Sequence, residues 1–183
     1  MAAATAVKKE STASALVYSR FADGWRLCLI MHPRLGMLLP AGGHVESNET
    51  TAEAAVREVA EETGLQVRLL SPPAVPVPAG TPHIPVPAPW WILEMQVPTD
   101  RHEPRPHVHV DFIYVAVAEQ RASSKAAHET FWLSAAEVAE HSTVVEDTRL
   151  LAKEVFFQID ELVGKQPSRL PGVGAFGPLP VRS

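Results

Sequence analysis

Cysteine is nearly absent from this 183-residue chain: only Cys28 is present. One cysteine rules out an intrachain disulfide framework and an all-thiolate zinc site. Cys28 lies in the apolar run Leu27–Met31, which predicts a buried core position and suits a reducing, cytoplasmic setting. Long hydrophobic runs are also missing. No window approaches the roughly 18 apolar residues of a membrane span, and the opening MAAATAVKKESTAS has no apolar stretch of signal-peptide length. The expectation is a chain with no membrane partner. Excess positive charge is missing too: the formal charge is −5 and the pI about 5.9. No basic patch stands out, so a nucleic-acid polymer is not an expected partner. A small phosphorylated ligand stays open, because a bound cation can neutralise it. There is no internal repeat, and the length suits one domain with a proper core.

Acidic side chains crowd one stretch instead. Gly42 to Leu65, GGHVESNETTAEAAVREVAEETGL, carries six glutamates and one arginine. From Thr50 to Thr63 the residues are mostly adequate helix formers. Ala52, Ala55 and Val59 recur at helical spacing, and Gly64 is a natural stop. On that helix Glu58, Glu61 and Glu62 share one face, where like charges repel. A solvated acidic face is one reading. The other is a site for a hard divalent cation, Mg²⁺ or Mn²⁺, which oxygen ligands favour over zinc.

The flanking pattern alternates strands with helices. Residues 1–11 are small and polar and predict a frayed end. Thr12–Arg20 and Trp25–His32 read as strands around an Asp23-Gly24 hairpin signal. Leu38–Gly43 reads as a short strand entering the glycine turn, and Gln66–Leu70 as another strand. Pro72 to Pro106 holds eleven of the seventeen prolines. Its run PPAVPVPAGTPHIPVPAP lacks the donors for a ladder or helix, which predicts an extended loop that could serve as a lid. Trp90–Val97 and His107–Ala118 read as strands joined by a second loop, and Thr130–Leu133 as the last strand. Ser134–Glu137 has the capping-box signature, and Thr143–Glu146 repeats it ahead of a long helix reaching about Val163. Val144, Leu151, Val155, Ile159 and Leu162 would form its stripe, and Gly164 its end. Lys165–Ser183 is a proline- and glycine-rich tail. This order supports an α/β or α+β class.

From Gly43 the acidic stretch reads Gly43, five residues, Glu49, seven residues, then Arg57-Glu58-Val59-Ala60-Glu61-Glu62-Thr63-Gly64-Leu65. This resembles the Nudix box, G-x5-E-x7-R-E-U-x-E-E-x-G-U with U aliphatic, and fits at every fixed position. Seven fixed matches arise by chance on the order of 10⁻⁹ per starting position. One departure lies just ahead, where a common Pro-Gly-Gly is Ala41-Gly42-Gly43. The resemblance implies an α/β/α sandwich with a mixed central sheet over residues 12–164, the box forming a loop–helix–loop. It implies a hydrolase that cleaves the diphosphate of a nucleoside diphosphate linked to another group, with Mg²⁺ or Mn²⁺ as cofactor. Members often dimerise, so a homodimer is an accompanying expectation.

Carried over by motif, Glu58, Glu61 and Glu62 would be the metal carboxylates, and the carbonyl of Gly42 a further ligand. Glu58 and Glu61, oriented by Arg57, would form the catalytic group, with Glu49 assisting Arg57 and Glu46 an accessory ligand or a support of the loop. The general base is one of these carboxylates or one from a later loop. Outside the box, His107, His109 and Asp111 alternate and share a strand face. That face is either turned to solvent or a wall of the site, with His109 and Asp111 the substrate-contacting candidates. Glu129 is another distal carboxylate, Arg34 a candidate phosphate contact, and Trp91 (or Trp90) a candidate base-stacking surface. Two rivals are a non-catalytic Nudix domain that senses nucleotides and a Nudix-like isopentenyl diphosphate isomerase. The intact box opposes the first. The second needs a reactive cysteine, which Cys28, inside an apolar strand, does not provide.

Overall fold

The computed structural model describes residues 7–73, 75–100, 103–120 and 126–165. The proline- and glycine-rich tail after Lys165 lies outside the described residues, as do residues 1–6. The chain runs β1 (Lys9–Phe21), β2 (Gly24–Met31), β3 (Leu38–Leu39), β4 (Ala41–His44), α1 (Thr51–Thr63), β5 (Gln66–Leu70), β6 (Trp91–Val97), β7 (His107–Gln120), β8 (Thr130–Leu133), α2 (Ala135–Glu140) and α3 (Glu146–Lys165). The eight strands form one mixed sheet.

The longest pairing, parallel β1 with β7, is the spine. Both strands change partners along their length. The first half of β1 pairs with β4 and the second half with β2. The first half of β7 pairs with β6 and the second half with β5. Strand alternation then sorts the core into two layers. Ala13, Ala15, Val17, Tyr114 and Ala116 face α1, whereas Leu16, Tyr18, Val115 and Val117 face α3. The α1 layer is built on Ala52, Ala54, Ala55 and Val59, small side chains that let the helix lie close against β1 and β4. A larger residue at Ala55 would overpack that contact at a cost of about 1–3 kcal/mol.

Several boundaries differ from the sequence expectation. The strand expected from Thr12 begins at Lys9, because β7 offers Lys9–Ser11 a parallel partner. Residues 9–11 are thus part of the sheet rather than of a frayed 1–11 segment. Leu38–Gly43 splits at Pro40, which has no N–H to donate; β3 joins β2 while β4 crosses to β1. Thr50 is the N-cap of α1 rather than its first residue, and forms a full capping box with Glu53. Gly64 closes α1 in the left-handed conformation, φ 72°.

Thr143 does not cap α3. Leu38 N–H donates to the Thr143 carbonyl (2.9 Å), and Leu38 bridges Val144 in an extended segment. Val144 is buried ahead of the helix, and Thr148 and Ala152 join Val155, Ile159 and Leu162 on the inner face. Gly164 lies inside α3, which continues to Lys165. Cys28 is buried, and burial pushes its thiol up to about 12. No described helix is long and apolar enough to cross a membrane.

Candidate active site

β4 is where helix and sheet meet. Thr12↔His44 and Ser14↔Gly42 are the positions of the β1–β4 pair that do not exchange hydrogen bonds; the flanking Val45 N–H donates to Ser11. At such positions the N–H and C=O point away from the partner strand. The outward Gly42 N–H donates to Glu62 Oε2 at 3.0 Å, and the outward His44 carbonyl accepts from Arg57 at 3.1 Å. The Gly42 carbonyl lies on that same free edge. Crowding bears on both glycines, from backbone at Gly42 and from a side-chain end at Gly43. A Cβ on Gly43 would sit 2.4 Å from Glu58 Oε1, and one on Gly42 would sit 2.6 Å from Ser14 Cβ and 2.7 Å from the Ala13 carbonyl.

Arg57 is the hub of the edge. Its guanidinium grips Glu49 through two bonds, 2.7 and 3.1 Å. It also donates to Glu58 at 2.8 Å and to Glu61 at 3.4 Å. The Arg57 bonds hold the Glu49 carboxyl below its ordinary value. Glu62 is half-buried further down, and desolvation raises its pKa against the pull of the Gly42 amide and His128. His128 Nε2 lies 3.3 Å from Glu62 Oε1, and its backbone N–H donates to the Glu62 carbonyl. The four carboxylates of this edge therefore share Arg57 and one imidazole. The donors are all oxygens, their negative charge is under-compensated, and a backbone carbonyl lies beside them. This set fits a hard divalent cation.

The opposite face of the same strands carries the second group. Pairing register puts Glu10, Thr12 and Ser14 of β1, His44 of β4, and His107, His109 and Asp111 of β7 on the α3 side of the sheet. The alternating polar residues are not a solvent-facing strip. His107 and Asp111 are buried. Asp111 accepts from Thr12 (3.0 Å) and Ser14 (2.7 Å), and its burial raises its pKa. Trp91, Leu93 and Met95 of β6 continue this face by register with Ile113, Asp111 and His109.

The remaining candidates are dispersed. Trp91 is half-buried against the α3-side core, with Trp90 at 5.9 Å between ring centroids. Trp90 donates to the Leu70 carbonyl at 2.7 Å, which makes it an anchor of the proline loop's end. Arg34 is exposed in the β2–β3 turn, where its charge depresses the pKa of His32 after burial does. Glu46 offers its backbone N–H to Glu49, and its side chain is exposed. Glu129 is exposed, and its carbonyl accepts from Met31 N–H. The side chain of that loop which reaches the box is its neighbour, His128. His128, Glu10, Thr12, Ser14 and Asp100 were not singled out from sequence. The alternation Glu10-x-Thr12-x-Ser14 was a usable signal for β1; no local pattern marks His128 or Asp100.

Comparison with known proteins bears on this arrangement. A family model described as "NUDIX domain" matches residues 6–154. No curated protein matches the chain. Solved structures share the fold. A NUDIX-family hydrolase from Clostridium perfringens aligns with TM-score 0.63 at 21% identity, covering 84% of this chain and 99% of that one. The E. coli dihydroneopterin triphosphate pyrophosphohydrolase aligns with TM-score 0.56 at 16% identity, covering 81% and 95%. A C. elegans Ap4A hydrolase aligns with TM-score 0.51 at 16% identity, covering 82% and 98%.

Proposed function

The chain belongs to the Nudix hydrolase family, and from that premise we propose that it cleaves a diphosphate linkage in a nucleotide-derived substrate, with Mg²⁺ or Mn²⁺ at the box. The observation that carries this reading is the free edge of β4, where Glu58, tied to Arg57, lies against Gly43, and Glu62, beside His128, holds the Gly42 amide. Glu58, Glu61, Glu62 and the Gly42 carbonyl are the residues that would hold the cation. When bound, that cation supplies the positive charge a diphosphate needs in its transition state and lowers the pKa of water.

The chain's own residues supply the rest. Arg57 keeps Glu58 and Glu61 oriented while the site is loaded and emptied. Glu61, whose side chain is 61% exposed and only loosely tied to Arg57, is the box carboxylate best placed to take a proton from an attacking water. Trp91, Leu93 and Met95 offer an apolar strip for a base, next to the polar wall of His109 and Asp111. Two structural neighbours are an Ap4A hydrolase and a dihydroneopterin triphosphate pyrophosphohydrolase, which supports phosphoanhydride cleavage as the reaction class. A buried free thiol suits a cytoplasmic enzyme.

The test is a panel of nucleoside triphosphates, dinucleoside polyphosphates, dinucleotides and nucleotide sugars, assayed with Mg²⁺ and with Mn²⁺. Turnover of at least one class, reduced about 10²–10³-fold in Glu61→Gln with the fold intact, is the expected result. Tight nucleotide binding by calorimetry without turnover of any class would overturn it in favour of a sensing domain.

A further inference from the structure

Five ligand-type side chains converge on the face of the sheet away from α1; only His44 belongs to the box segment, at a position its pattern leaves open. Glu10, His44, Asp100 and His109 each offer one ligand atom, and these atoms all lie within 4.8 Å of one another. His107 adjoins them, with Nε2 3.0 Å from His109 Nε2 and 3.4 Å from both Glu10 and Asp100. The other spacings are 3.4 Å for His109–Asp100, 3.4 Å for His44–Glu10, 3.9 Å for His109–Glu10 and 4.0 Å for His44–Asp100. Ligands bonded at 2.0–2.1 Å around a tetrahedral ion are about 3.3 Å apart. The cluster is therefore already near the dimensions of a coordination shell.

Tautomer chemistry points the same way. His107 Nδ1 lies 2.9 Å from the Arg105 carbonyl. A carbonyl only accepts, so Nδ1 carries the hydrogen, and neutral His107 turns the lone pair of Nε2 inward. Backbone fixing of the remote nitrogen is how ligand histidines are held. The side chain of His107 is fully buried, and those of Asp100 and His109 are 7% and 13% exposed. A web of ion pairs alone would bring the Nε2 atoms of His107 and His109 to 3.0 Å for a single shared hydrogen; a cation between the ligand atoms uses every lone pair at once. The donors are imidazoles and carboxylates, without thiolate. That chemistry suits zinc and similar transition ions, whereas the oxygen-only box suits Mg²⁺.

We propose that Glu10, His44, Asp100 and His109, with His107 at their base, form a second cation site, selective for a zinc-class transition metal and separate from the box. It ties together β1, β4, β7 and the loop before β7. His44 joins it to the box, since its ring enters the cluster while its carbonyl is held by Arg57.

Cobalt(II) is the probe. Tag-free full-length protein, stripped by chelation, receives one equivalent of Co²⁺ in excess Mg²⁺. The expected result is the intense visible bands of four- or five-coordinate cobalt rather than the weak bands of an octahedral oxygen site. They should persist in a Glu61→Gln/Glu62→Gln double variant, and Zn²⁺ should displace them. His109→Gln and Asp100→Asn, each checked for fold by circular dichroism, should weaken Co²⁺ binding by about 100-fold or more. Weak octahedral bands alone in the unmodified protein would overturn the proposal. So would bands that survive both single substitutions, or bands that vanish in the double box variant.

Discussion

The two faces of β4 solve the same problem in different ways. On the α1 side, three carboxylates are held by one permanent cation, Arg57, and the fourth, Glu62, by the Gly42 amide and His128; all four come from a single helix or the turn entering it. On the α3 side, Asp111 is held by hydroxyls of β1, Asp100 of a loop by imidazoles of β7, and Glu10 by Lys8 together with His44 of β4. The first arrangement depends on helix geometry. The second depends on strand register, so that sliding β1 by one residue against β7 would remove Glu10, Thr12 and Ser14 from the face together. Charge density alone does not define a site. What differs is the neutralising partner, and with it the ion each face can accept.

The sharpest way to break the contrast is to remove the hub. Arg57→Ala should lower turnover by about 10²–10³-fold and cost about 1–3 kcal/mol of stability by leaving half-buried carboxylates unpaired. Arg57→Lys should rescue part of the stability but little of the activity, because an ammonium cannot grip Glu49 in two bonds and still reach Glu58. Denaturant melts beside steady-state kinetics separate the two effects. If both variants kept full activity, the orienting role would be lost.

The paired glycines come next. Gly42→Ala meets backbone and Cβ atoms of β1, so it should open the β1–β4 pair and lower the melting temperature. Gly43→Ala meets only the carboxylate end of Glu58, which can swing away. It should fold nearly normally and lose turnover through displaced Glu58. Equal melting temperatures for the two variants would contradict this division.

A smaller effect is expected at the entrance to α1. Thr50→Ala removes the hydroxyl that accepts from the Glu53 amide and should cost about 1 kcal/mol, or about 2–4 °C in a chain of this size.

The smallest effect is in the acid limb of stability. Glu49 is below its ordinary 4.5 in the folded state because of Arg57. The folded protein therefore binds that proton more weakly than the unfolded chain. The pair's contribution is fully present above about pH 4.5 and fades as pH falls through the lowered folded value. Glu49→Gln should flatten that part of a stability–pH profile, measured by denaturant midpoints.

Much of the box edge was legible in the sequence because a helix turns spacing into position. Glu58, Glu61 and Glu62 at i, i+3 and i+4 had to share a face, and Arg57 with Glu49 came with the motif. The wall was half legible. His107, His109 and Asp111 alternate and so had to lie on one side of a strand, but whether that side met water or protein depended on what lay opposite. His128 was not legible, since only the packing of the 126–129 segment on the end of α1 brings it to Glu62.

Thus the sequence by itself determined the class, the acidic helix with its stop at Gly64, the cap of α2 at Ser134, and the chemistry of the acidic face, all of which rest on contacts within a few residues. Tertiary structure alone decided that β1 starts at Lys9, that Val144 pairs with Leu38 instead of entering α3, and that Glu10, His44 and Asp100 meet two histidines. Each of those depends on which strand or loop lies alongside. Such pairings join residues far apart in the chain, and no local periodicity encodes them.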